Sequence, residues 1–340
     1  MGQSAGGSAV DYYSYAYADN PLVAGLISHS GTALGFTPNT PEFSQASFLT
    51  AAQSLGCSGA NVTTCMRAQD YKAVLDAVAK VKPLASAALA QPVFHPTVDG
   101  KTVFADYKAL SHAGKFAKIV SYPPLFPYTP PHTHTLPHTR TFPHTPQSTP
   151  TPAYAPPPFP TNPPKPYLAG NVNNEDGFYH VVAAGQNLTL TPAQWTLFDL
   201  EGFICAASTE TAARAKYSVP TWRYMYFGTW PNLELYPGSG TYHGSDLHMI
   251  FGGAQDVTGI PNTVFEDWTS AYMMWAWASF VRDPAHGLSE RAFWPVYDPR
   301  GNTMVRLGLN NNPGPSFVAA HYWNSQCPAN GSVAGAQGAF

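Results

Sequence analysis

The amino-acid sequence predicts an α/β fold, because strand-like and helix-like segments alternate along much of the chain. In residues 1–119, apolar segments alternate with turn residues, which is typical of α/β proteins. Leu22 to Ser28 predicts a short strand that ends at the turn signal Ser30-Gly31. Ala73 to Val81 predicts a helix, because its apolar residues recur at helical spacing.

Residues 166–340 form a second part with globular composition. Val219 to Phe227 is rich in residues that favour strands. Glu266 to Arg282 predicts a helix that ends before Pro284. Its aromatic face is expected to pack in the core, which we favour over a ligand platform; the face consists of Trp268, Tyr272, Trp275 and Phe280.

The composition suits a globular protein of one large domain or two smaller ones. The chain has 340 residues, of which 44% are hydrophobic and 14% aromatic, enough for a buried core. The net charge of −3 favours neither nucleic acid nor an acidic membrane surface as a partner. The longest strongly apolar stretch, Ala271 to Val281, is too short to span a bilayer.

Residues 120–165 differ from both globular parts, because 16 of these 46 residues are proline. Proline lacks an N–H group and clashes within helices, so polyproline II or disorder is expected. A solvated linker is favoured over a metal site for the four histidines of this segment, His132, His134, His138 and His144. We predict an insertion without catalytic role. A retained intron beginning at Val120-Ser121 is the favoured origin, and a genuine disordered linker is the alternative.

The sharpest motif lies at the start of the chain, where Gly2-Gln3-Ser4-Ala5-Gly6 matches G-x-S-x-G. This pattern is typical of a nucleophile elbow, in which serine occupies a strained strand-to-helix turn. Both flanking glycines are expected to be needed because a larger side chain would collide in the turn. The N–H group of Ala5 would help to hold the oxyanion that forms when Ser4 attacks a carbonyl. A loop of small residues is the plainer alternative.

Further segments follow in an order that resembles the type-B carboxylesterase/lipase family, which includes cholinesterases and some lipases. The resemblance covers the chain except residues 120–165, is greatest to secreted fungal-type members, and implies an α/β-hydrolase fold. The matching segments are Gly2 to Gly7, Ser28 to Gly31, Cys57 to Arg67, Gly170 to Gly177, Tyr242 to Leu247 with Phe251-Gly252, Asp283-Pro284, and Trp294 to Tyr297.

The resemblance implies a catalytic triad of Ser4 as nucleophile, His243 as general base and Glu175 as acid. Histidine titrates near neutrality, so it can take the serine proton and return it to the leaving alcohol. The carboxylate holds the imidazole tautomer and stabilises the imidazolium. Asp176 is the alternative acid. His243 is favoured over the other histidines because it follows the turn-rich run Pro237 to Gly240.

Two departures from the family bear on the substrate. Gln3 stands where cholinesterases carry a glutamate, which weakens the case for a quaternary-ammonium substrate. The interval from Glu175 to His243 is also shorter than in lipases and cholinesterases of the family. The acyl and alcohol preferences, the physiological substrate and the oligomeric state are therefore left open.

The cysteines and glycosylation sequons favour an extracellular protein. The resemblance implies the disulfide Cys57–Cys65. Elimination then leaves Cys205–Cys327, and Cys327 lies near the end of the resemblance. Three N-x-S/T sequons occur, at Asn61, Asn187 and Asn330. Few charges, an even cysteine count and three sequons together indicate secretion. No signal peptide follows Met1, so we expect the chain to be truncated at the nucleophile elbow, its signal peptide lost with the missing N-terminus.

The predicted function is hydrolysis of a small-molecule carboxylic ester through an acyl-enzyme, with no cofactor, metal, nucleic acid or membrane span. The predicted organisation is two α/β-hydrolase core parts, 1–119 and 166–340, separated by the insertion at 120–165. A non-catalytic cholinesterase-like binding or adhesion protein and a truncated gene-model product are the alternatives. We expect the chain by itself to be inactive, because the strand before Ser4 and the second oxyanion loop would be missing.

Overall fold

A six-stranded sheet forms the centre of the molecule. The computed structural model describes residues 1–83, 91–117 and 165–327. Within them the strands lie in chain order, β1 to β5 parallel and β6 antiparallel to β5. This confirms the predicted α/β fold. The strands are Gly2–Gln3 (β1), Leu26–His29 (β2), Tyr167–Val172 (β3), Thr221–Tyr226 (β4), Met304–Leu307 (β5) and Ser316–Val318 (β6).

Helices connect the strands and cover the sheet. A π-helical segment, Leu200–Ile204, joins α7 to α8. The described helices are Ala5–Ala16 (α1), Pro41–Ser54 (α2), Val62–Arg67 (α3), Tyr71–Ala79 (α4), Tyr107–His112 (α5), Asp176–Gly185 (α6), Pro192–Asp199 (α7), Cys205–Lys216 (α8), Ser245–Phe251 (α9), Ala254–Thr258 (α10), Val264–Arg282 (α11), Gly287–Glu290 (α12) and His321–Asn324 (α13).

The predicted elements agree with β2, β4, α4 and α11 in type, with shifted boundaries. The strand expected from Leu22 begins only at Leu26, where the chain enters the sheet between β1 and β3. Leu22 is instead exposed, and its N–H donates to the Tyr13 hydroxyl at 2.8 Å. All six residues of β3 and of β4 are buried, as parallel strands covered on both faces require.

The predicted aromatic core face of α11 is wrong in part. Trp268 is 56% exposed and Trp275 is 42% exposed, whereas Phe280 is buried. The buried stripe consists instead of residues three and four positions apart, Met273, Ala276, Trp277 and Phe280. Trp268 and Trp275 are seven positions apart and lie on a different side of the helix.

A buried cluster of charged side chains joins α1 to α8 on the face of the sheet opposite α11. The guanidinium of Arg214 on α8 contacts Asp11 on α1 at 2.5 Å and also contacts Glu210. It lies over the Tyr167 ring of β3 at 4.0 Å. Burial, and then the charge of Asp11, raise the pKa of Glu210 to about 7. Pairing of this kind is what makes a buried guanidinium tolerable.

Two disulfides cross-link the described residues. Cys57 bonds Cys65 between α2 and α3, and Cys205 at the start of α8 bonds Cys327 after α13. The proline-rich segment 120–165 lies outside the described residues except for Lys165, so the division into three parts stays a prediction. Among the described ranges, no helix has the length and apolar character needed to cross a bilayer.

Candidate active site

Ser4 occupies a sharp turn between β1 and α1. The expectation that no strand precedes Ser4 is therefore wrong, because the two residues of β1 pair with β2. The backbone angles of Ser4 are φ 57° and ψ −124°, a left-handed conformation that a serine rarely adopts and that the surrounding structure must support. The N–H group of Ser4 donates to the His29 carbonyl at 2.9 Å. These are the features of the nucleophile elbow that the motif predicts.

The two glycines of the motif differ in the space that surrounds them. A Cβ atom at Gly2 would lie 2.1 Å from the carbonyl oxygen of Gly6, so a side chain there cannot be accommodated. A Cβ atom at Gly6 would meet no atom of another element within 4 Å. The prediction that both glycines avoid a collision is therefore wrong for Gly6. Gly31 is tightly packed as well, because its Cβ would lie 2.1 Å from the Ser4 carbonyl oxygen.

Glu175 lies in the loop that follows β3 and is completely buried. Its Oε1 accepts the backbone N–H of Val172 at 2.9 Å, which fixes one oxygen of the carboxylate. Its Oε2 lies 2.5 Å from Nδ1 of His243, so the second oxygen is directed at the imidazole.

His243 lies in the loop between β4 and α9, immediately before Gly244. Gly244 has φ 88°, a conformation that favours glycine and lets the chain turn into α9. The imidazole side chain is 7% exposed. Three aromatic rings surround it, those of Phe203 at 5.1 Å, Tyr179 at 5.2 Å and Phe178 at 6.4 Å between centroids. Packing against these three rings fixes the orientation of the His243 imidazole.

The structure brings the imidazole of His243 to Glu175, and no hydrogen bond between His243 and Ser4 is found among the described residues. Among the described residues, Nε2 of His243 instead meets the side-chain amide of Gln3, at 3.0 Å from Gln3 Nε2. The Ser4 hydroxyl interacts with the phenol of Tyr179, which offsets part of the rise that burial and Glu175 cause in the pKa of that phenol. The hydrogen bond predicted between Ser4 and His243 therefore stays a prediction, although Tyr179 contacts both residues.

The geometry distinguishes Glu175 from Asp176. The carboxylate of Asp176 is directed at His180, with Oδ2 3.7 Å from Nε2, and not at His243. Burial raises the pKa of Asp176, and the charge of His180 opposes the rise.

Two other histidines have local roles. His29 is buried, meets the Tyr224 hydroxyl at 2.7 Å and accepts the Trp277 indole N–H at 3.2 Å. His95 bonds the Pro92 carbonyl at 2.7 Å.

Ser4 and Ala5 open onto a pocket of about 170 Å³. The rings of Tyr12, Phe36 and Tyr179 line it together with Gln91, Pro92, His95 and Pro96. Ala5 is the first residue of α1, where backbone N–H groups have no partner within the helix. An apolar pocket beside a serine and a free N–H group suits one apolar group of an ester. A cavity of roughly 150 Å³ holds a benzene-sized molecule in another protein.

The predicted modification sites lie outside this pocket. The side chains of Asn61, after α2, and Asn187, after α6, are exposed and accessible to an attached sugar. Asn330 lies outside the described residues. Within the described ranges, no group of three or more His, Cys, Asp or Glu residues could hold a metal ion.

The model of the carboxylesterase family matches residues 1–123. Two curated fungal relatives extend the similarity over most of the chain, each at 29% identity. The chain is similar to the carboxylesterase family. One relative is Secreted lipase 5 of Gibberella zeae, matched over 97% of this chain and 55% of the lipase. The other is the chlorogenic acid esterase of Aspergillus niger, matched over 84% of this chain and 45% of the esterase.

The chain thus spans about half the length of the curated relatives that it matches. These similarities confirm the resemblance inferred from the ordered motifs. What the names of the two relatives say about substrate and secretion describes those proteins.

Proposed function

We propose that this protein is a carboxylic ester hydrolase that forms its acyl-enzyme on Ser4. The observation that carries the proposal is the buried Glu175–His243 pair at 2.5 Å beside a serine in an elbow turn. The similarity to the carboxylesterase family supports the same chemistry. The three residues follow β1, β3 and β4, so all lie beyond the carboxyl ends of parallel strands, where sites of α/β proteins form.

The geometry supports one division of labour among the three residues. An Nδ1–H group on His243 donates to Glu175, which leaves Nε2 with a lone pair for the Ser4 proton. Ser4 Oγ then bonds the ester carbonyl carbon, and the N–H group of Ala5 donates to the oxyanion. His243 returns the proton to the alcohol oxygen as the C–O bond breaks. Water repeats the sequence on the acyl-enzyme and releases the acid.

Gln3 must move before this reaction can begin. Its amide N–H donates to Nε2 of His243 in this structure, which occupies the lone pair that Ser4 needs. A rotation of the Gln3 side chain would free Nε2 for Ser4. We therefore interpret the observed arrangement as a resting state of the site.

The pocket beside Ser4 supports a substrate with a compact apolar group on one side of the ester. An extracellular location is proposed as well, on the name of the lipase relative and the accessible sequons Asn61 and Asn187.

The alternative is a binding protein without hydrolysis, and the Gln3–His243 contact is the observation in its favour. Turnover of a short-chain nitrophenyl ester distinguishes the two. We expect Ser4→Ala and His243→Gln each to remove the turnover, and Glu175→Gln to reduce it strongly because the imidazole loses its carboxylate. His112→Gln, on the exposed end of α5, is the matched control and should leave the rate unchanged. Turnover that survives Ser4→Ala would reject the proposal.

A further inference from the structure

Glu175 occupies the N-cap position of α6 but does not cap the helix. The first turn of a helix presents backbone N–H groups without partners, and the N-cap side chain usually accepts one of them. Glu175 makes no such bond, because its two oxygens are taken by the Val172 N–H and by His243. Another acceptor must therefore serve the start of α6.

Asp199 supplies this acceptor from the end of α7. Its Oδ1 accepts the N–H of Asp176, the first residue of α6, at 2.8 Å. The carboxyl group also accepts the N–H of Glu175 itself. The Asp199 side chain, 23 residues after Asp176, thus binds the backbone N–H groups of both Glu175 and Asp176.

The segment around Asp199 is itself held against the site. Phe198, the residue before it, packs on the Tyr179 ring at 4.7 Å. Phe203, within the π-helical segment that follows, packs on the His243 ring at 5.1 Å. π-Helical turns are rare and frequently occur at functional sites. Here the π-helical segment lies between Asp199 and α8. Asp199 on one side of it contacts the backbone at the start of α6, and Phe203 within it contacts the His243 ring.

We propose that Asp199 is the positioning residue of the catalytic acid: it caps α6 in place of Glu175 and leaves the Glu175 carboxylate for His243. The proposal rests on the proposed ester hydrolase function of Ser4, Glu175 and His243. Asp199 contacts neither Ser4 nor His243 among the described hydrogen bonds, so it acts through the backbone of Glu175. What this role requires is an acceptor oxygen, and a negative charge is not needed.

The environment of Asp199 agrees with a neutral side chain. Burial, followed by the charges of Asp176 and Glu175, raises the pKa of Asp199 to about 9, while the bonds from the two N–H groups oppose the rise. A protonated carboxyl group keeps one oxygen that accepts, as an asparagine amide does.

The test compares Asp199→Ala with Asp199→Asn. We expect Asp199→Ala to lower kcat by about 10- to 100-fold with KM little changed, since loss of the cap lets Glu175 shift relative to His243. Asp199→Asn keeps the acceptor and should retain most of the wild-type kcat. Asp70→Ala is the matched control, because Asp70 caps α4 through the N–H groups of Lys72 and Ala73. It should leave kcat unchanged.

Each outcome decides one claim. A wild-type kcat in Asp199→Ala, or an equal loss in Asp199→Asn, would overturn the role of Asp199. Ser4→Ala is assayed beside them, and turnover that survives it would reject the ester hydrolase function instead. Hydrogen exchange at the Asp176 amide provides a readout without turnover if Asp199→Ala does not fold. Slow exchange in Asp199→Asn, as in the wild type, supports the cap, and fast exchange there contradicts it.

Discussion

Replacing Asp199 with asparagine should change how the free energy of unfolding depends on pH. The carboxyl group has a pKa near 3.8 in the unfolded chain and about 9 in the folded protein. The cause is burial first and the charges of Asp176 and Glu175 second. Between these two values the folded protein holds one proton that the unfolded chain has released. Folding is therefore favoured by protons, and this contribution is lost as the pH rises from about 4 towards 9.

The magnitude follows from the number of protons. Because the folded state holds one proton more than the unfolded chain, the free energy of unfolding falls by about 1.4 kcal/mol for each unit by which the pH rises within the window. Between pH 6 and pH 8 the wild type should lose about 2.7 kcal/mol through this group. Asp199→Asn carries no titrating group at this position and should not show that loss. The variant should consequently gain stability relative to the wild type as the pH rises.

Urea unfolding of both proteins at pH 6, 7 and 8, with the disulfides intact, measures the difference directly. The other titratable groups at the site, including Asp176 and His180, are the same in both chains and cancel in the comparison. The stability difference between the two proteins should grow with pH. A difference that stays constant from pH 6 to pH 8 would show that Asp199 is already ionised, and the reasoning about its environment would be wrong.

Three further substitutions test other contacts. Gln3→Glu places a carboxylate where the amide now lies 3.0 Å from His243, so the acid limb of the kcat/KM profile should move up by about 1 pH unit or more; an unchanged profile between pH 5 and 9 would contradict the contact. Joint replacement of Cys205 and Cys327 by alanine releases a loop with a sequence separation of 122 and should cost about 5 kcal/mol in guanidinium unfolding. A cost below about 1 kcal/mol would argue against the bond in solution. Gly2→Ala should abolish fluorophosphonate labelling because its Cβ would lie 2.1 Å from a carbonyl oxygen, and normal labelling would show that the elbow can relax.

The local sequence predicts the elements of the site that depend on short-range geometry. The G-x-S-x-G pattern predicts the turn at Ser4 because a β1–α1 turn with this conformation needs glycine at Gly2. Gly244 marks the loop of His243 in the same way, through its left-handed conformation. The position of Glu175 in a family motif predicts its role as the acid, and the structure directs its carboxylate at His243.

The sequence pattern does not predict contacts between distant segments of the chain. Gln3 and His243 are 240 residues apart, and no local signal indicates that an amide would occupy Nε2. Asp199 gives no signal either, because its role depends on a cap position left empty in another helix. The exposure of Trp268 and Trp275 does not follow from the sequence, because an aromatic face by itself does not indicate which side of a helix packs on the sheet.

Identification of the residue that a fluorophosphonate modifies is the most direct test of the central claim. The reagent reports the formation of one covalent bond, so it detects an activated serine even where turnover is slow. We predict that mass spectrometry of the labelled peptides places the adduct on Ser4, that Ser4→Ala abolishes it, that His243→Gln slows it, and that Ser54→Ala, at the end of α2, leaves it unchanged. An adduct on Ser8 or Ser30, or labelling that persists in Ser4→Ala, would contradict the account.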